Sequence, residues 1–473
     1  MAGALDRFYF ASPIWMQQAM VAAFGWVWYR RRFGGEFSRL VEEFSARDRW
    51  NADQFRDYQE RRLREVLTAA WRSPYYHGVF TSAGISPATP AMETLARLPT
   101  LPKETLRARS GELLSRPRLP FRTKVFKSSG TTGTPTEIYF TPQFHNLNMA
   151  IAEARSLNWG GCTYRDRRVM FGARKICRFE QDQPPFWRYS PAENMAYASI
   201  FHLSPQFLQH YMAFLRRFRP AVVMGYPSAL HRLAAYSLQS GDLPAPARAV
   251  ITTSETVTAE ARKAVESAWR CRLMDRYGSV EACAFASQCE HGRYHVSPDY
   301  GIVEVVDDEG RTVPPGSMGK VVATGLHNAL QPLIRYELGD LARWAVEQEC
   351  PCGRQMPVLE GIEGRFEDLC ITPDGREMLR FDTVFKGVTT IREAQVVQER
   401  VDLFEIRIVP APGFHSEDAN RIQENMLLHV GQVEVRVILV EAIPRSESGK
   451  FRAVVCKLSK DEKDRIRGAA LAR

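Results

Sequence analysis

The sequence predicts an α/β protein with a large N-terminal domain and a small α+β C-terminal domain. Three patterns carry this prediction. Between residues 121 and 345, short apolar runs alternate with amphipathic stretches, as in strands joined by helices in a largely parallel sheet. From Gly301 to Arg343, runs rich in Val, Ile and Thr are separated by turn residues, which predicts a small β-rich subdomain. After residue 390 the order is strand, strand, helix, strand, which is typical of a separate unit.

The individual elements follow from periodicity and from turn residues. A helix begins at Asn51, which forms a capping pattern with Gln54, and it ends near Trp71 before Pro74. A proline-rich stretch then predicts a loop-like connector. In the α/β region we expect strands and helices at Arg168–Phe171, Pro205–Arg217, Ala221–Met224, Ser228–Ser240, Ala249–Thr252, Ala259–Trp269 and Leu273–Tyr277. In the C-terminal unit we expect them at Ala394–Glu399, Leu403–Val409, Glu417–His429 and Val433–Val440.

The chain of 473 residues is longer than one typical hydrophobic core, so more than one domain is expected. We expect three parts: an apolar and basic helical segment at 1–50, a large domain at 51–363 and a small domain at 364–473. The net charge of +9 would suit an anionic partner. The basic residues are dispersed and no nucleic-acid-binding motif is visible, so we expect no nucleic-acid partner. The nine cysteines do not form a disulfide framework, which indicates a reducing, cytoplasmic location.

The N-terminal segment is unusually apolar from Phe8 to Tyr29 and is followed by three arginines. It has no basic leader and no cleavage site, so a signal peptide is not expected, and polar residues interrupt it too often for a membrane span. The commoner interpretation is a helix packed on the body of the protein. The alternative is a peripheral membrane contact through residues 8–32, at the inner membrane face, with aromatic anchors at Trp15, Phe24, Trp26 and Trp28.

Two distant motifs point to nucleotide chemistry. The first is a loop rich in glycine and hydroxyl groups at residues 128–133. Such a loop can surround phosphates with hydrogen-bond donors, and this loop lacks the Gly-Lys-Ser/Thr ending of a Walker loop. A lysine far downstream, Lys450, can reduce the repulsion between a carboxylate and a phosphate. Together they predict ATP-dependent activation of a carboxylic acid. The loop residues are Ser128, Ser129, Gly130, Thr131, Thr132 and Gly133.

Three further segments strengthen this prediction. Glu281 follows a predicted strand, where it can hold Mg²⁺ on nucleotide phosphates. Asp340 can accept hydrogen bonds from both ribose hydroxyls, and Arg365 supplies a cation beside the same nucleotide. An aromatic residue followed by glycine can stack on adenine and let the backbone approach it. These nucleotide-facing residues are Tyr277, Gly278 and Ser279.

On these motifs the chain resembles the adenylate-forming superfamily of acyl-CoA synthetases, peptide-synthetase adenylation domains and luciferases. Within it, the chain is most similar to the branch of phenylacetate–CoA ligase, CapK and coenzyme F390 synthetase, and the resemblance covers nearly the whole sequence. It implies that Tyr226 and Pro227 border the acyl pocket and that Ser254 and Glu255 lie beside adenine. Other branches carry a lysine after the proline of the loop, whereas Thr136 follows Pro135 here.

The resemblance also implies a two-step mechanism. A carboxylate attacks the α-phosphorus of MgATP, pyrophosphate leaves, and the acyl-adenylate then reacts with a thiol, most often that of CoA. The small C-terminal domain would act as a mobile lid that turns about Glu367. Relatives often have aspartate at this hinge, and their glycine-arginine element after the hinge is hard to recognise in residues 371–376.

A second candidate site is a structural zinc site. Four nitrogen and sulfur ligands suit tetrahedral Zn²⁺, and the alternative is a set of free buried thiols. The spacing alone leaves both His291 and His295 open as the histidine ligand. In some members of the branch the histidine lies six residues after the first cysteine, which favours His295. The expected ligands are Cys289, His295, Cys350 and Cys352.

The leading functional prediction is an AMP-forming carboxylate–CoA ligase that acts on an aromatic or otherwise apolar acid. It would use ATP, Mg²⁺ and CoA, with zinc in a structural role. One alternative transfers the acyl group to a carrier protein, an amine or a sugar hydroxyl, as in CapK-like capsule or exopolysaccharide assembly. Another transfers AMP to a cofactor, as F390 synthetases do. A non-catalytic nucleotide-binding protein is the fourth alternative, and the joint presence of Glu281, Asp340, Arg365 and Lys450 argues against it.

Overall fold

The computed structural model describes residues 2–118, 123–127, 136–172, 174–255, 257, 259–307, 309–363, 370–378, 381, 383–444 and 454–471. Seven helices precede the first described strand. The predicted cap of the fourth is confirmed, because Asn51 Oδ1 accepts from the Gln54 amide at 2.9 Å and Gln54 Oε1 accepts from the Asn51 amide at 2.9 Å. These helices are α1 (Ala2–Ala11), α2 (Ile14–Phe33), α3 (Phe37–Arg47), α4 (Ala52–Ala70), α5 (Pro74–Ser82), α6 (Ala91–Arg97) and α7 (Lys103–Ala108).

The expectation of a loop-like connector after Pro74 was wrong, since α5, α6 and α7 lie there. Their prolines occupy positions that helices tolerate. Pro74 is in the first turn of α5, and Pro90 and Pro102 are the N-cap residues of α6 and α7. Proline lacks only an amide donor that the first turn leaves unpaired in any case.

A twelve-stranded sheet forms the centre of the large domain. In spatial order its strands are β11-β12-β13-β14-β10-β9-β8-β7-β6-β3-β5-β4. They are β3 (Arg168–Gly172), β4 (Trp187–Ser190), β5 (Met195–Ser199), β6 (Val222–Gly225), β7 (Ala249–Thr253), β8 (Leu273–Gly278), β9 (Phe285–Gln288), β10 (Tyr294–Val296), β11 (Gly301–Val306), β12 (Gly319–Gly325), β13 (Tyr336–Trp344) and β14 (Val358–Glu363). A separate hairpin pairs β1 (Lys124–Lys127) with β2 (Glu137–Phe140).

The sheet has a parallel half and an antiparallel half. Strands β5, β3, β6, β7 and β8 pair in parallel, as predicted. From β8 to β11 every pairing is antiparallel, so the predicted β-rich part continues the main sheet instead of forming a sheet of its own. The helices of this region are α8 (Pro142–Ala152), α9 (Pro205–Phe218), α10 (Pro227–Ser240) and α11 (Ala259–Trp269), and a π-helical turn spans Glu153–Leu157.

The C-terminal unit has its own hydrophobic core, built from residues between Cys370 and Val454. A four-stranded sheet in the order β19-β18-β17-β20 packs with α12, and a short strand pair lies beside it. The elements are β15 (Cys370–Ile371), β16 (Glu377–Met378), β17 (Ile391–Arg400), β18 (Leu403–Pro410), α12 (Ser416–Val430), β19 (Glu434–Leu439), β20 (Val454–Cys456) and α13 (Lys460–Leu471).

The N-terminal helix α2 packs on the body of the protein, against β4 and α8. This agrees with the first of the two interpretations of this segment, a helix packed on the protein itself. Several of its aromatic side chains nevertheless face outward. Among the residues that the structure describes, no helix combines the length and the apolar character needed to cross a membrane.

Candidate active site

Glu281 lies just beyond the end of β8 and is buried, with 5% of its surface exposed. The hydroxyl of Tyr336 donates to Glu281 Oε1 over 3.1 Å, and the ammonium group of Lys103 lies 3.9 Å from the same oxygen. A buried carboxylate requires such partners, because an unpaired charge is strongly disfavoured away from water. The pairing uses one carboxylate oxygen, so the second remains suited to a metal ion.

A second pair of predicted residues lies beside the first. The hydroxyl of Tyr277, at the end of β8, donates to Asp340 Oδ2 over 2.7 Å. Asp340 lies in β13 directly after Gly339, whose φ of 81° requires glycine or strain. The pairing of β12 with β13 shifts register in this region, between Lys320 and Val322. This local irregularity turns the carboxylate of Asp340 towards the tyrosine of a strand that is not its neighbour.

The predicted acyl and adenine segments are also adjacent. Tyr226 and Pro227 begin α10 immediately after β6, and the backbone amide of Ser228 donates to Glu255 Oε2 over 3.1 Å. Ser254, between β7 and Glu255, has a φ of 76°, a conformation that non-glycine residues adopt rarely. All of these residues follow the carboxyl ends of β6, β7 and β8, the edge at which parallel sheets bind ligands.

Glycine is required at the end of β6. A Cβ atom at Gly225 would lie 2.6 Å from the carbonyl oxygen of Phe171 on the neighbouring strand. The Tyr226 amide donates to that same carbonyl over 3.1 Å. The close approach of the two backbones therefore fixes where Tyr226 leaves the sheet.

Lys103 was missed in the sequence analysis because it lies in the supposed connector. A bridge between Leu101 and Tyr336 places it at the site: the Leu101 amide donates to the Arg335 carbonyl over 2.7 Å, and the Glu337 amide donates to the Leu101 carbonyl over 3.0 Å. Helix α7 then begins at Lys103. The local signal was a Pro-Lys-Glu helix start, but only this long-range pairing reveals the contact with Glu281.

Several predicted residues lie outside the described part of the chain. These are Ser128, Ser129, Gly130, Thr131, Thr132, Gly133, Arg365, Glu367 and Lys450. The hairpin on both sides of the predicted phosphate loop is described, and it pairs Lys127 with Glu137 in register. Their side chains form an ion pair of 3.2 Å. Hydrogen bonding from the Tyr139 hydroxyl lowers the pKa of Glu137, so it is anionic at neutral pH.

The four predicted zinc ligands come together at the β9–β10 hairpin. Their ligand atoms all lie within 4.8 Å of one another. Cys289 Sγ is 3.7 Å from Cys350 Sγ, and Cys352 Sγ is 3.3 Å from His295 Nε2. His295 Nδ1 lies 3.3 Å from the carbonyl oxygen of Met356, which leaves Nε2 facing the sulfur atoms. Burial lowers the pKa of His295 to about 4, so its ring is neutral at pH 7. His291 is exposed and outside the group.

Comparison with known proteins gives two matches to protein families. The AMP-binding enzyme family matches residues 126–330, and the CapK C-terminal domain family matches residues 371–457. These two matched segments are those that the resemblance to the adenylate-forming superfamily predicts. The predicted membership and the assignment as an AMP-binding enzyme are therefore confirmed.

Relatives of this adenylate-forming enzyme match it along most of their length. Protein CapK of Staphylococcus aureus is 23% identical over 464 residues, which are 95% of this chain and 99% of that protein. Phenylacetate-coenzyme A ligase of Thermus thermophilus is 28% identical over 442 residues, which are 85% of this chain and 96% of that protein. A structure of 2-hydroxyisobutyryl-CoA ligase superposes with a TM-score of 0.59 at 22% identity, covering 87% of this chain and 91% of that one. The predicted fold class is confirmed.

Proposed function

We propose that this chain is an AMP-forming carboxylate–CoA ligase. The single observation that carries the proposal is the pair of carboxylates at the carboxyl edge of the parallel strands. Glu281 is held by Tyr336 and Lys103, and Asp340 is held by Tyr277. Glu281 and Tyr277 lie in the segment that matches the AMP-binding enzyme family, and the relatives named as phenylacetate-coenzyme A ligases support CoA as the acceptor.

In the proposed first step, a carboxylate oxygen of the substrate attacks the α-phosphorus of ATP. The bond from that phosphorus to the bridging oxygen breaks, and pyrophosphate leaves with the electron pair. Asp340 and Arg365 would hold the ribose, residues 128–133 the departing phosphates, and Lys450 the substrate carboxylate and α-phosphate. Mg²⁺ bound through Glu281 would supply charge neutralisation on the phosphates. The residues contribute mainly position and charge, as is usual for phosphoryl-type transfer.

In the proposed second step, the thiolate of CoA attacks the acyl carbon and AMP leaves. We propose that the unit from residue 364 onward is the lid for this step, that residues 51–363 form the adenylating domain, and that Glu367 is the pivot. Residues 1–50 would form the N-terminal helical segment. We further propose an aromatic or otherwise apolar acid, because Tyr226 begins α10 beside the predicted adenine segment and phenylacetate ligases are among the relatives.

The match of residues 371–457 to the CapK C-terminal domain favours one alternative for the acceptor. In the proposed second step, the lid would contact the acceptor that receives the acyl group. A lid similar to that of CapK therefore favours a carrier-protein thiol, an amine or a sugar hydroxyl as the acceptor, in polysaccharide biosynthesis. The first step is the same in both cases. We propose CoA as the leading acceptor because four phenylacetate-coenzyme A ligases match at 25–28% identity, against 23% for CapK.

We also propose that Cys289, His295, Cys350 and Cys352 hold a structural Zn²⁺. The donor set fits, since three thiolates and one neutral imidazole are ligands typical of closed tetrahedral zinc sites. All nine cysteines of the chain are free of disulfide bonds, which together with the need for ATP and CoA supports a cytoplasmic location.

The test of the proposed function is product analysis with a panel of aryl, fatty, hydroxy and amino acids, in the presence of MgATP and CoA. We expect one acid class to give AMP and an acyl-CoA thioester. Lys450→Ala should lower the rate more than about a hundredfold, because the charge between the two anions is lost. Lys457→Ala is the matched control, since its ammonium group is half-exposed and pairs with Glu399 at 2.7 Å. Formation of AMP without a thioester would contradict CoA as the acceptor and favour one of the alternative acceptors. Near-normal activity in Lys450→Ala would contradict the role of this lysine between the substrate carboxylate and the α-phosphate.

A further inference from the structure

The first two helices carry seven exposed large apolar side chains, more than any other part of the described chain. Phe8 is 58% exposed, Trp15 69%, Phe24 58% and Trp26 52%. Leu5, Ile14 and Val27 are exposed as well. The exposed large apolar side chains of the other described elements are all aliphatic: Met92, Leu238, Val280, Val346, Leu428, Ile438 and Leu439. Exposed aromatic rings on one segment indicate a binding surface.

The inner side of α2 combines apolar and polar contacts: Val21 and Phe33 pack on the cores of the large domain, and two glutamines bond to the protein. Gln17 is buried, and its Oε1 accepts from Arg188 Nη2 over 2.6 Å. The amide of Gln18 pairs with the backbone of Tyr189, donating to its carbonyl over 2.5 Å and accepting from its N–H over 2.9 Å. Tyr189 belongs to β4, the strand at one edge of the large sheet. Gln18 therefore satisfies polar groups that an edge strand would otherwise leave open.

Two further contacts fix the rotation of α2 about its axis. Arg32 donates to Glu193 over 2.5 Å, and Gly25 lies so close to β4 that an added Cβ would be 1.9 Å from Ser190 Oγ. Rolling the helix to bury its aromatic side would break the bonds of Gln17, Gln18 and Arg32. A polar group left buried without a partner would destabilise the rolled arrangement. These contacts hold the helix with Trp15 and Trp26 facing outward.

The outward side of α2 also carries charge. Trp15, Ala19, Ala23 and Trp26 recur at intervals of three or four residues, so they lie on one side of the helix. The exposed Arg30 places its guanidinium 3.9 Å from the centre of the Trp26 ring. Of the four arginines in residues 1–33, Arg31 and Arg32 contact His145 and Glu193 of the protein body, whereas Arg7 and Arg30 are exposed. The segment has one acidic residue, Asp6.

We propose that this outward side of α1 and α2 binds the surface of an anionic phospholipid bilayer. Tryptophan is the side chain that favours the boundary between headgroups and acyl chains, and arginine pairs with anionic headgroups. A protein partner or a second copy of this chain could cover the same aromatic side chains. The exposed Arg7 and Arg30 and the net charge of +9 favour the lipid over a second copy, since two copies would bring like charges together. The proposal does not depend on which acid the enzyme activates.

The test is vesicle flotation of the full chain. We expect it to float with vesicles of phosphatidylglycerol and phosphatidylcholine and to stay at the bottom with phosphatidylcholine alone. Raising the ionic strength from about 0.1 M to about 1 M, which shortens the Debye length from about 10 Å to about 3 Å, should release most of the protein. Trp15→Ser combined with Trp26→Ser should lower the bound fraction at least about tenfold, because two interfacial anchors are removed.

The matched control combines Val346→Ser with Leu439→Ser, whose side chains are 77% and 55% exposed on other elements. This control should float like the parent chain, and both double variants should keep the parent unfolding temperature. The proposal is overturned if the parent chain does not float with anionic vesicles, or if the control loses as much binding as the tryptophan variant. It is also overturned if light scattering shows a dimer that the tryptophan variant dissociates while no vesicle binding occurs.

Discussion

The carboxyl edge of β6–β8 and the Cys/His cluster at β9–β10 are both polar sites in one sheet, but their side chains are paired differently. At the edge, each carboxylate is held by a partner of another kind: Glu281 by a tyrosine and a lysine, and Asp340 by a tyrosine. In the cluster, the four ligand atoms lie within 4.8 Å of one another, and their other contacts include backbone groups such as the Met356 carbonyl and the His291 amide. Three thiols and an imidazole at these distances have no mutual charge complement.

The difference separates a site suited to a passing substrate from one suited to a permanent ion. Carboxylates that are already oriented by tyrosines can bind and release a nucleotide with little rearrangement. A closed set of four nitrogen and sulfur ligands leaves no open position for chemistry and gains its stability from a bound cation. The edge should therefore control activity, and the cluster should control stability.

Among the variants that test this difference between the two sites, we expect the largest loss of activity from Glu281→Gln. The amide can still accept from Tyr336, so folding should persist, but the anionic ligand for Mg²⁺ is lost. We expect acid activation to fall more than about a hundredfold, with the unfolding temperature nearly unchanged. Glu65→Gln, an exposed residue paired only with Arg62, should match the parent in both assays. Normal activity in Glu281→Gln would remove this residue from the active site.

For Cys350→Ser we expect the opposite result, a loss of stability with activity retained. Loss of one ligand should release the zinc and lower the unfolding temperature by about 5 °C or more, because the energy of metal binding is lost from the folded state. The protein that remains folded should still activate the acid. Cys271→Ser, outside the ligand group, should retain one equivalent of metal. Metal analysis of the parent chain that finds under about half an equivalent of zinc would contradict the cluster's assignment.

A smaller effect is expected from Tyr277→Phe. It removes one hydrogen bond to Asp340, which is worth about 1.5–3 kcal/mol for a charged acceptor. If Asp340 holds the ribose, KM for ATP should rise about tenfold while kcat changes less. Tyr294→Phe removes the equivalent bond from Tyr294 to Asp275, which is 2.6 Å long, without touching the proposed site. Steady-state kinetics that show equal changes in the two variants would count against a ribose role for Asp340.

Much of the fold could be predicted because buried parallel strands are continuous apolar runs. The predicted strand at Ala221–Met224 corresponds to β6 at Val222–Gly225, and the one at Leu273–Tyr277 to β8 at Leu273–Gly278. The helices α5 to α7 were missed because Pro74, Pro90 and Pro102 were taken to interrupt helices, whereas they begin them. The single sheet could not be predicted either, since the antiparallel pairing of β8 with β9 depends on tertiary contacts.

The candidate site, too, could be predicted from the sequence only in part. Glu281, Asp340 and Tyr277 belong to local motifs that can be recognised in the sequence. The contact of Lys103 with Glu281 depends on the bridge between Leu101 and Tyr336, which no local pattern encodes. The outward orientation of Trp15 and Trp26 was equally hidden, because the sequence shows which residues are apolar but not which side of the helix faces the protein.

The most direct test of the central claim is acid-dependent exchange of labelled pyrophosphate into ATP, measured on the intact chain without CoA. It reports the first step alone, so it does not depend on the acceptor. We predict exchange with one class of apolar carboxylic acid and none without acid. A protein that contains zinc and binds MgATP but catalyses no exchange with any acid in the panel would contradict the assignment as a carboxylate-activating enzyme.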